Sequence, residues 1–422
     1  MSPTFASLSI RNYRIYAAGA FVSNIGTWMQ RVAQDWLVLQ LTHSGTALGI
    51  TTGLQLLPAL LLSPFAGVVA DRYPKRTILR ITQLAMAIPT VILGILAVTG
   101  VVQTWQVYVL AFVFGIATAF DAPARQSFVV EMVGKDDLAN AVGLNSASFN
   151  SGRMIGPAVA GVMIAALGSG VGATGWVILI NAASYVAVFI SLNMLDSASL
   201  RPSPVVGNRR GAVRDGVRYV RSRPDLILIL MCVFFVGTFG MNFQLTSALM
   251  ATGVFHKGAS EYGILGSIMA VGSLGGALLA ARRPTPRPGM VVIAGLSFGV
   301  LEIAAGLMPN YLAFALILPL IGLSALTMIT SANAMIQLTS SAHMRGRVSA
   351  LYLMIFLGGT PFGAPFIGWI GEAYGARWTL IVGGAMSMIG IAGATAYYWH
   401  KQSRPPAPHS VIRIGAQKPQ LL

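Results

Sequence analysis

The chain has 422 residues, 55% of them hydrophobic and only 9% charged, with a mean hydropathy of +0.71. A soluble domain carries roughly 25% charged residues, so this composition excludes an ordinary soluble fold and points to a chain that crosses a membrane repeatedly. The net charge of +16 does not mark a nucleic-acid surface, because the basic residues gather in alternate loops, leaving Lys257 and Arg377 on the other side and Arg31, Arg125 and Arg153 within apolar stretches.

A helix crossing ~30 Å of hydrocarbon needs about 20 residues. Cutting at polar and Gly/Pro punctuation predicts twelve spans, near 14–41, 47–70, 77–99, 105–130, 138–167, 174–195, 225–251, 260–282, 290–308, 311–337, 347–370 and 376–399. An even number places both termini on one side, and the basic loops place that side in the cytoplasm. No short apolar segment with a cleavage site opens the sequence, so span 1 is expected to be retained as a helix.

In span 1, Asn24, Trp28, Arg31 and Asp35 fall on one helical face, where they belong against protein or water rather than lipid. Arg31 and Asp35, four apart, are placed to pair. Asp35 then admits two readings, a proton or substrate carrier and a static counter-charge for Arg31. After span 2 comes Gly67-Val-Val-Ala-Asp71-Arg72-Tyr-Pro-Lys75-Arg76. Its glycine permits close helix approach, Asp71 can face the positive N-terminus of a neighbouring helix, and its basic cluster needs an acidic partner. Span 4 carries Asp121 and Arg125 four apart, read as a structural or gating pair, with Glu131 at its end.

Span 5 contains Gly152-Arg-Met-Ile-Gly156-Pro157-Ala-Val-Ala-Gly161, small residues that flatten a helix face around a bend at Pro157. Arg153 beside them has no acid three or four residues away. Residues 196–224 form the one long internal connection, in which Val213, Val217 and Val220 share a face and predict an interfacial helix. Its arginines are placed to touch anionic lipid. In span 7, Cys232 reads as packing, and Asn242, Gln244 and Thr246 line a polar side with Phe239 and Phe243. Glu302 in span 9 lacks a local partner and is a candidate coupling residue, and in span 10 Asn333 and Gln337 share a face expected to line the same polar side of a central cavity. Span 11 repeats the span 5 spacing with Gly359, Gly363 and Gly368, and prolines lie inside both sets, as an internal repeat of two six-helix halves would produce. The tail from Lys401, rich in proline, is expected to be disordered.

The loop from Gly67 to Arg76 resembles the signature G-x-x-x-D-R-x-x-[RK]-[RK] between spans 2 and 3 of the major facilitator superfamily. The span 5 run resembles that superfamily's antiporter-associated G-x-x-x-G-P-x-x-x-G motif. Asp121-Ala-Pro-Ala-Arg125-Gln126-Ser-Phe-Val, Asn140-Ala and Gly216-Val-Arg-Tyr-Val-Arg-Ser-Arg-Pro224 are similar to the enterobactin-exporter-like, drug-efflux branch, the transmembrane secretion effector family. The resemblance covers the whole chain. It implies an all-α membrane fold of twelve transmembrane helices in two pseudo-symmetric halves, residues 1–195 and 225–400, joined by the cytoplasmic loop 196–224 and followed by the tail 401–422. It also sets Asp71 against span 11, makes Glu131 the partner of Arg72 or Arg76, and packs the span 5 face on span 8 at Gly266, Gly272, Gly275 and Gly276. The arginine that many drug exporters carry in span 4 falls at Ala111 here, so Arg125 or Arg153 would have to replace it.

The reading is a secondary active transporter in the bacterial cytoplasmic membrane, a proton-coupled antiporter exporting small molecules such as drugs or siderophore-like compounds. It is expected to be monomeric, in contact with membrane lipids, and without cofactor, metal or nucleic acid. An uptake permease of the same fold is the alternative. A membrane-embedded enzyme is disfavoured: no H-E-x-x-H, C-x-x-C or G-x-G-x-x-G stands in a supporting context, and no P-loop lysine is present.

Overall fold

The computed structural model describes residues 3–134, 137–201, 212–281, 287–341 and 344–402, and every regular element in them is helical. A short 3-10 turn, Pro3–Ser9, leads into α1 (Arg11–Thr42), followed by α2 (Gly45–Arg72), α3 (Lys75–Val98), α4 (Thr104–Val133), α5 (Leu138–Ala166) and α6 (Val171–Asn193). Then come α7 (Ala212–Arg221), α8 (Pro224–Phe235), α9 (Phe243–Leu249), α10 (Ala259–Ala281), α11 (Pro288–Gly306), α12 (Tyr311–Thr339), α13 (Arg345–Gly358), α14 (Thr360–Tyr374) and α15 (Ala376–Gln402). The connections are abrupt because local chemistry stops the helices. His43 turns left-handed at φ 51° to end α1, and the Ser44 hydroxyl then accepts from the Ala47 N–H to start α2. The Asn310 side chain starts α12 in the same way, accepting from the Ala313 N–H.

Ten helical stretches are long and apolar enough to cross a membrane. The two other long helices, α1 (32 residues) and α5 (29 residues), are the ones that carry the polar stripe and the glycine–proline run expected of spans 1 and 5. Both are packed inside the bundle, α1 against α5 and α6. Two expected spans are less regular than the hydropathy predicts. Span 7 is one apolar stretch, Pro224–Val254, but its helix widens to π turns at Val236–Gly240 and Met250–Val254 and breaks at Met241 and Asn242. The Asn242 amide donates to the carbonyls of Thr238 and Phe239, taking acceptors that the helical ladder would otherwise use. Span 11 is interrupted at Gly359, two residues before Pro361, whose nitrogen has no proton to give the ladder.

The expected interfacial helix is α7; residues 202–211, with Arg209 and Arg210, and the tail from 403 lie outside the described residues. It is clamped to the second set of helices. Arg347 on α13 pairs with Asp215 at 3.1 Å, and the Ser341 N–H donates to the Tyr219 hydroxyl, a bond that pulls the phenol below its ordinary pKa.

Helices α1 to α6 pack on one another, as do α8 to α15, and the two most extensive crossings between these sets are α2 with α14, and α5 with α10. Both crossings rest on glycine. A Cβ at Gly161 would stand 2.5 Å from the Ala259 carbonyl oxygen, and one at Gly53 would stand 2.9 Å from that of Pro361. Further along α2, nothing stands within 4 Å of a Cβ placed at Gly67, and Asp71, Arg72 and Tyr73 are exposed. On α5, Val142, Gly143, Ser146 and Phe149 are likewise exposed. The sets therefore meet at the end holding Gly45 and Gly161 and part at the basic end holding Arg72 and Val142.

Candidate functional site

Between the two sets lies a cavity of about 370 Å³. Its first wall is built by α1 and α5. Gly152 and Gly156 let these helices touch: a Cβ at Gly152 would stand 2.8 Å from the Asn24 carbonyl carbon, and one at Gly156 would stand 2.6 Å from the Trp28 Cβ. Asn24 donates to the Ser148 hydroxyl at 2.9 Å. Trp28 then presents its indole to the cavity, with Phe149 edge-on at 5.7 Å, Arg31 at 4.9 Å and Arg153 at 5.9 Å from the ring centroid. The stripe read from span 1 and the isolated Arg153 of span 5 thus converge on one side chain.

The expected Arg31–Asp35 pair does not form. Arg31 lies over the indole, where the ring face attracts the cation, while Asp35, a turn further on, accepts from the Tyr262 hydroxyl of α10 at 2.9 Å. Tyr262 also stacks on Trp36 at 6.4 Å. Among the described residues no carboxylate oxygen comes within 4.0 Å of either the Arg31 or the Arg153 guanidinium.

The opposite wall comes from the break between α8 and α9 and from α11. Met241, Asn242, Phe243, Phe298 and Glu302 line it. Glu302, a coupling candidate in the sequence, lines this cavity beside the broken stretch of span 7. A Cβ at Gly240 would stand 3.0 Å from its Oε2, and one at Gly383 on α15 would stand 3.1 Å from Oε1. Among the described residues, the buried Oε2 of Glu302 and the buried Oδ1 of Asn242 have no hydrogen-bond partner. Asn333 does not line this cavity; it is exposed on α12 and accepts from Gln337 at 3.1 Å, on the shared face expected for the two.

The remaining candidates lie outside the cavity. Asp121 and Arg125 pair at 2.7 Å, and Asp121 also accepts from Thr82 and Gln83 on α3, so this acid is held by three donors. In the loop after α2, Glu131 pairs with Lys75 at 3.0 Å, both buried, rather than with Arg72 or Arg76. Lys75 opens α3 and Glu131 closes the adjacent α4, whereas Arg76 is drawn away to the carbonyls of Leu192 and Asn193, capping the end of α6. Asp71, which the resemblance set against span 11, makes no ion pair or hydrogen bond among the described residues. The span 5 motif is also divided: Gly152 and Gly156 serve α1, while Pro157 and Gly161 meet α10 at Gly263 and Gly266. Gly272 and Gly276 pack on α12 instead, and Gly275 has only Leu323 of α12 at 4.0 Å.

The sequence reading missed Tyr262, Thr82 and Gln83, which act only through partners distant in the chain. It also missed a buried network in which Asn181 on α6 donates to Gln30 on α1 and to Tyr185. A lone asparagine in the middle of an apolar helix was the available signal.

A family model described as transmembrane secretion effector matches residues 2–403. The staphyloferrin A transporter of Staphylococcus aureus is 34% identical over 153 residues, a stretch covering 36% of this chain and only 38% of that protein. The multidrug efflux pump Tap of Mycolicibacterium fortuitum is 27% identical over 382 residues, 86% of this chain and 90% of Tap. Among solved structures, a bacterial homologue of the human lysosomal transporter Spinster, in an inward-facing and unoccupied conformation, superposes with a TM-score of 0.72 at 16% identity, covering 96% of this chain and 100% of that one.

Proposed function

This chain belongs to the transmembrane secretion effector family of major facilitator transporters, and on that footing we propose that it is a proton-coupled antiporter exporting small molecules from the cytoplasm. The observation that carries the reading is the cavity itself. It lies between two helix sets that meet at one end and part at the basic end, and it holds Arg31, Arg153 and Glu302 away from lipid. Ionisable groups kept at such depth cost several kcal/mol on insertion scales and are retained where ions or substrates pass.

In this reading α1 to α6 and α8 to α15 are two six-span halves, with α8–α9 and α13–α14 each forming one irregular span. Both termini and the 196–224 loop face the cytoplasm of a bacterial cell, on the side where Lys and Arg concentrate. The open basic end admits substrate from that side. Alternating access would part the α2–α14 and α5–α10 crossings and close the basic end, bringing Asp71 towards span 11. Asp35 and Glu302 are the candidate proton carriers. The name of one relative, a multidrug efflux pump, supports export over uptake. A monomer suffices for this mechanism.

The test is accumulation of a panel of drugs and siderophores in cells lacking and overproducing the protein, with and without a protonophore. Export predicts lower accumulation on overproduction, restored by the protonophore; raised accumulation would establish the uptake permease instead. Access of an external reagent to a tag at residue 208 would overturn the topology.

A further inference from the structure

We infer that the cavity selects organic anions that carry a flat ring, with the acid group held between Arg31 and Arg153 and the ring against Trp28 and Phe149. This rests on the proposed transport cavity and names the class of compound it takes.

Two guanidinium groups share the surroundings of one indole, at 4.9 and 5.9 Å from its centroid. Like charges so placed repel, and the low-dielectric helix walls around them screen that repulsion less than bulk water would. Buried or half-buried arginines normally meet a carboxylate or phosphate, for which the planar fork is shaped. Here none of the four ion pairs among the described residues includes either arginine, and the nearest acid in sequence, Asp35, gives its Oδ2 to Tyr262. The indole face offsets part of the charge of each cation and leaves their N–H donors to be satisfied. An anion entering the cavity supplies both the missing charge and the missing acceptors. Trp28 and the half-exposed Phe149 form an edge-to-face pair, a platform that an aromatic ring extends at little entropic cost.

The far wall adds a second requirement. Glu302 and Asn242 line the wall opposite the two arginines, each with a buried oxygen that meets no donor among the described residues. A second acid group at the end away from the arginines would meet the wall that carries Glu302 and be disfavoured.

The probes are 2-naphthoate, its neutral isostere 2-naphthamide and the cationic 2-naphthylmethylammonium, titrated calorimetrically into the purified full-length protein. Naphthoate is expected to bind about tenfold more tightly than the amide, the equivalent of one charge-assisted contact, and the ammonium more weakly than either. Arg31→Gln and Arg153→Gln should each bring naphthoate down to the level of the amide while leaving amide binding within about twofold; Arg31→Met and Arg153→Met, uncharged and of comparable reach, serve with the same expectation if the glutamine variants fold poorly. Arg214→Gln, exposed on α7, should leave all three unchanged. Equal affinity for the three probes, preference for the ammonium, or no binding of any would overturn the inference. These titrations need no gradient and no direction, so failure of the export assay leaves them intact. A protein that exports cationic drugs but ignores naphthoate would sink the substrate class alone.

Discussion

The two walls of the cavity each bury an acid, and they treat it in opposite ways. Asp35 on α1 reaches across the junction between the helix sets to the Tyr262 hydroxyl of α10. Glu302 stays within its own set, boxed by Gly240 and Gly383, with one oxygen unbonded. The first arrangement is a strut: it exists only while α1 and α10 are together, and opening that end must break it. The second is indifferent to how the sets move. A carboxyl group whose partner changes with conformation can couple its proton to the motion, because linkage requires that the two states bind the proton differently. On this comparison Asp35 is the stronger candidate for the proposed proton carrier, and Glu302 is a candidate contact for substrate.

The strongest break of the comparison is Asp35→Asn, which keeps the shape and an acceptor for Tyr262 but cannot carry a proton. Protonophore-sensitive export should fall by about 100-fold, equivalent to roughly 2.7 kcal/mol, with expression near normal. Arg31→Gln/Asp35→Asn should likewise fold and fail to pump. Recovery of protonophore-sensitive export by that double variant would transfer the carrier role to Glu302 or Asp121.

Next in size is Tyr262→Phe, which removes the strut from the other side. Loss of this buried bond should cost about 1–3 kcal/mol in detergent melting experiments. It should also raise the rate at which a thiol reagent added from outside labels a cysteine introduced at Leu41; Cys232 is buried and contributes little background. Unchanged labelling would mean that the bond does not hold this end closed.

Glu302→Gln sharpens the contrast from the other wall. The amide is nearly the same size, and no cation or hydrogen bond is lost at Oε2, so melting should move by no more than about 1 kcal/mol. Binding of substrates should change more than the proton dependence of export. A melting loss matching that of Tyr262→Phe would show the walls to be alike.

Asp71→Asn is the smallest in stability and tests the open end. With Asp71 exposed and unbonded in this conformation, melting should shift by less than about 0.5 kcal/mol. Transport should nonetheless fall, because the conformation with the basic end closed loses its contact with span 11. Full transport would reduce the motif to a marker of topology.

Much of this molecule was legible in one dimension. The twofold spacing of Gly152, Gly156, Gly161 and of Gly359, Gly363, Gly368 reappears as matching contacts. The first two glycines of one set meet α1 and of the other meet Thr238 before α9, and the third glycine of each crosses to the opposite helix set, at Ala259 or at Gly45. The i, i+4 pair of Asp121 and Arg125 is also present as read. The equally spaced Arg31 and Asp35 did not pair, because a tryptophan one turn earlier and a tyrosine in another helix offered each group a better partner. Spacing brings two side chains within reach; it does not say what else is within reach.

Composition and period were therefore enough for the membrane setting, for helices of this length and for the small-residue faces where they touch, since lipid imposes helical backbone on each span and only small residues allow close approach. Which base meets Glu131, which hydroxyl holds Asp35, and which groups Glu302 faces across the cavity were decided by tertiary structure alone. Each depends on partners from separate helices, and for Glu302 on a break in span 7 that hydropathy does not register, because Gly240 and Asn242 leave the apolar run intact while removing the helical ladder.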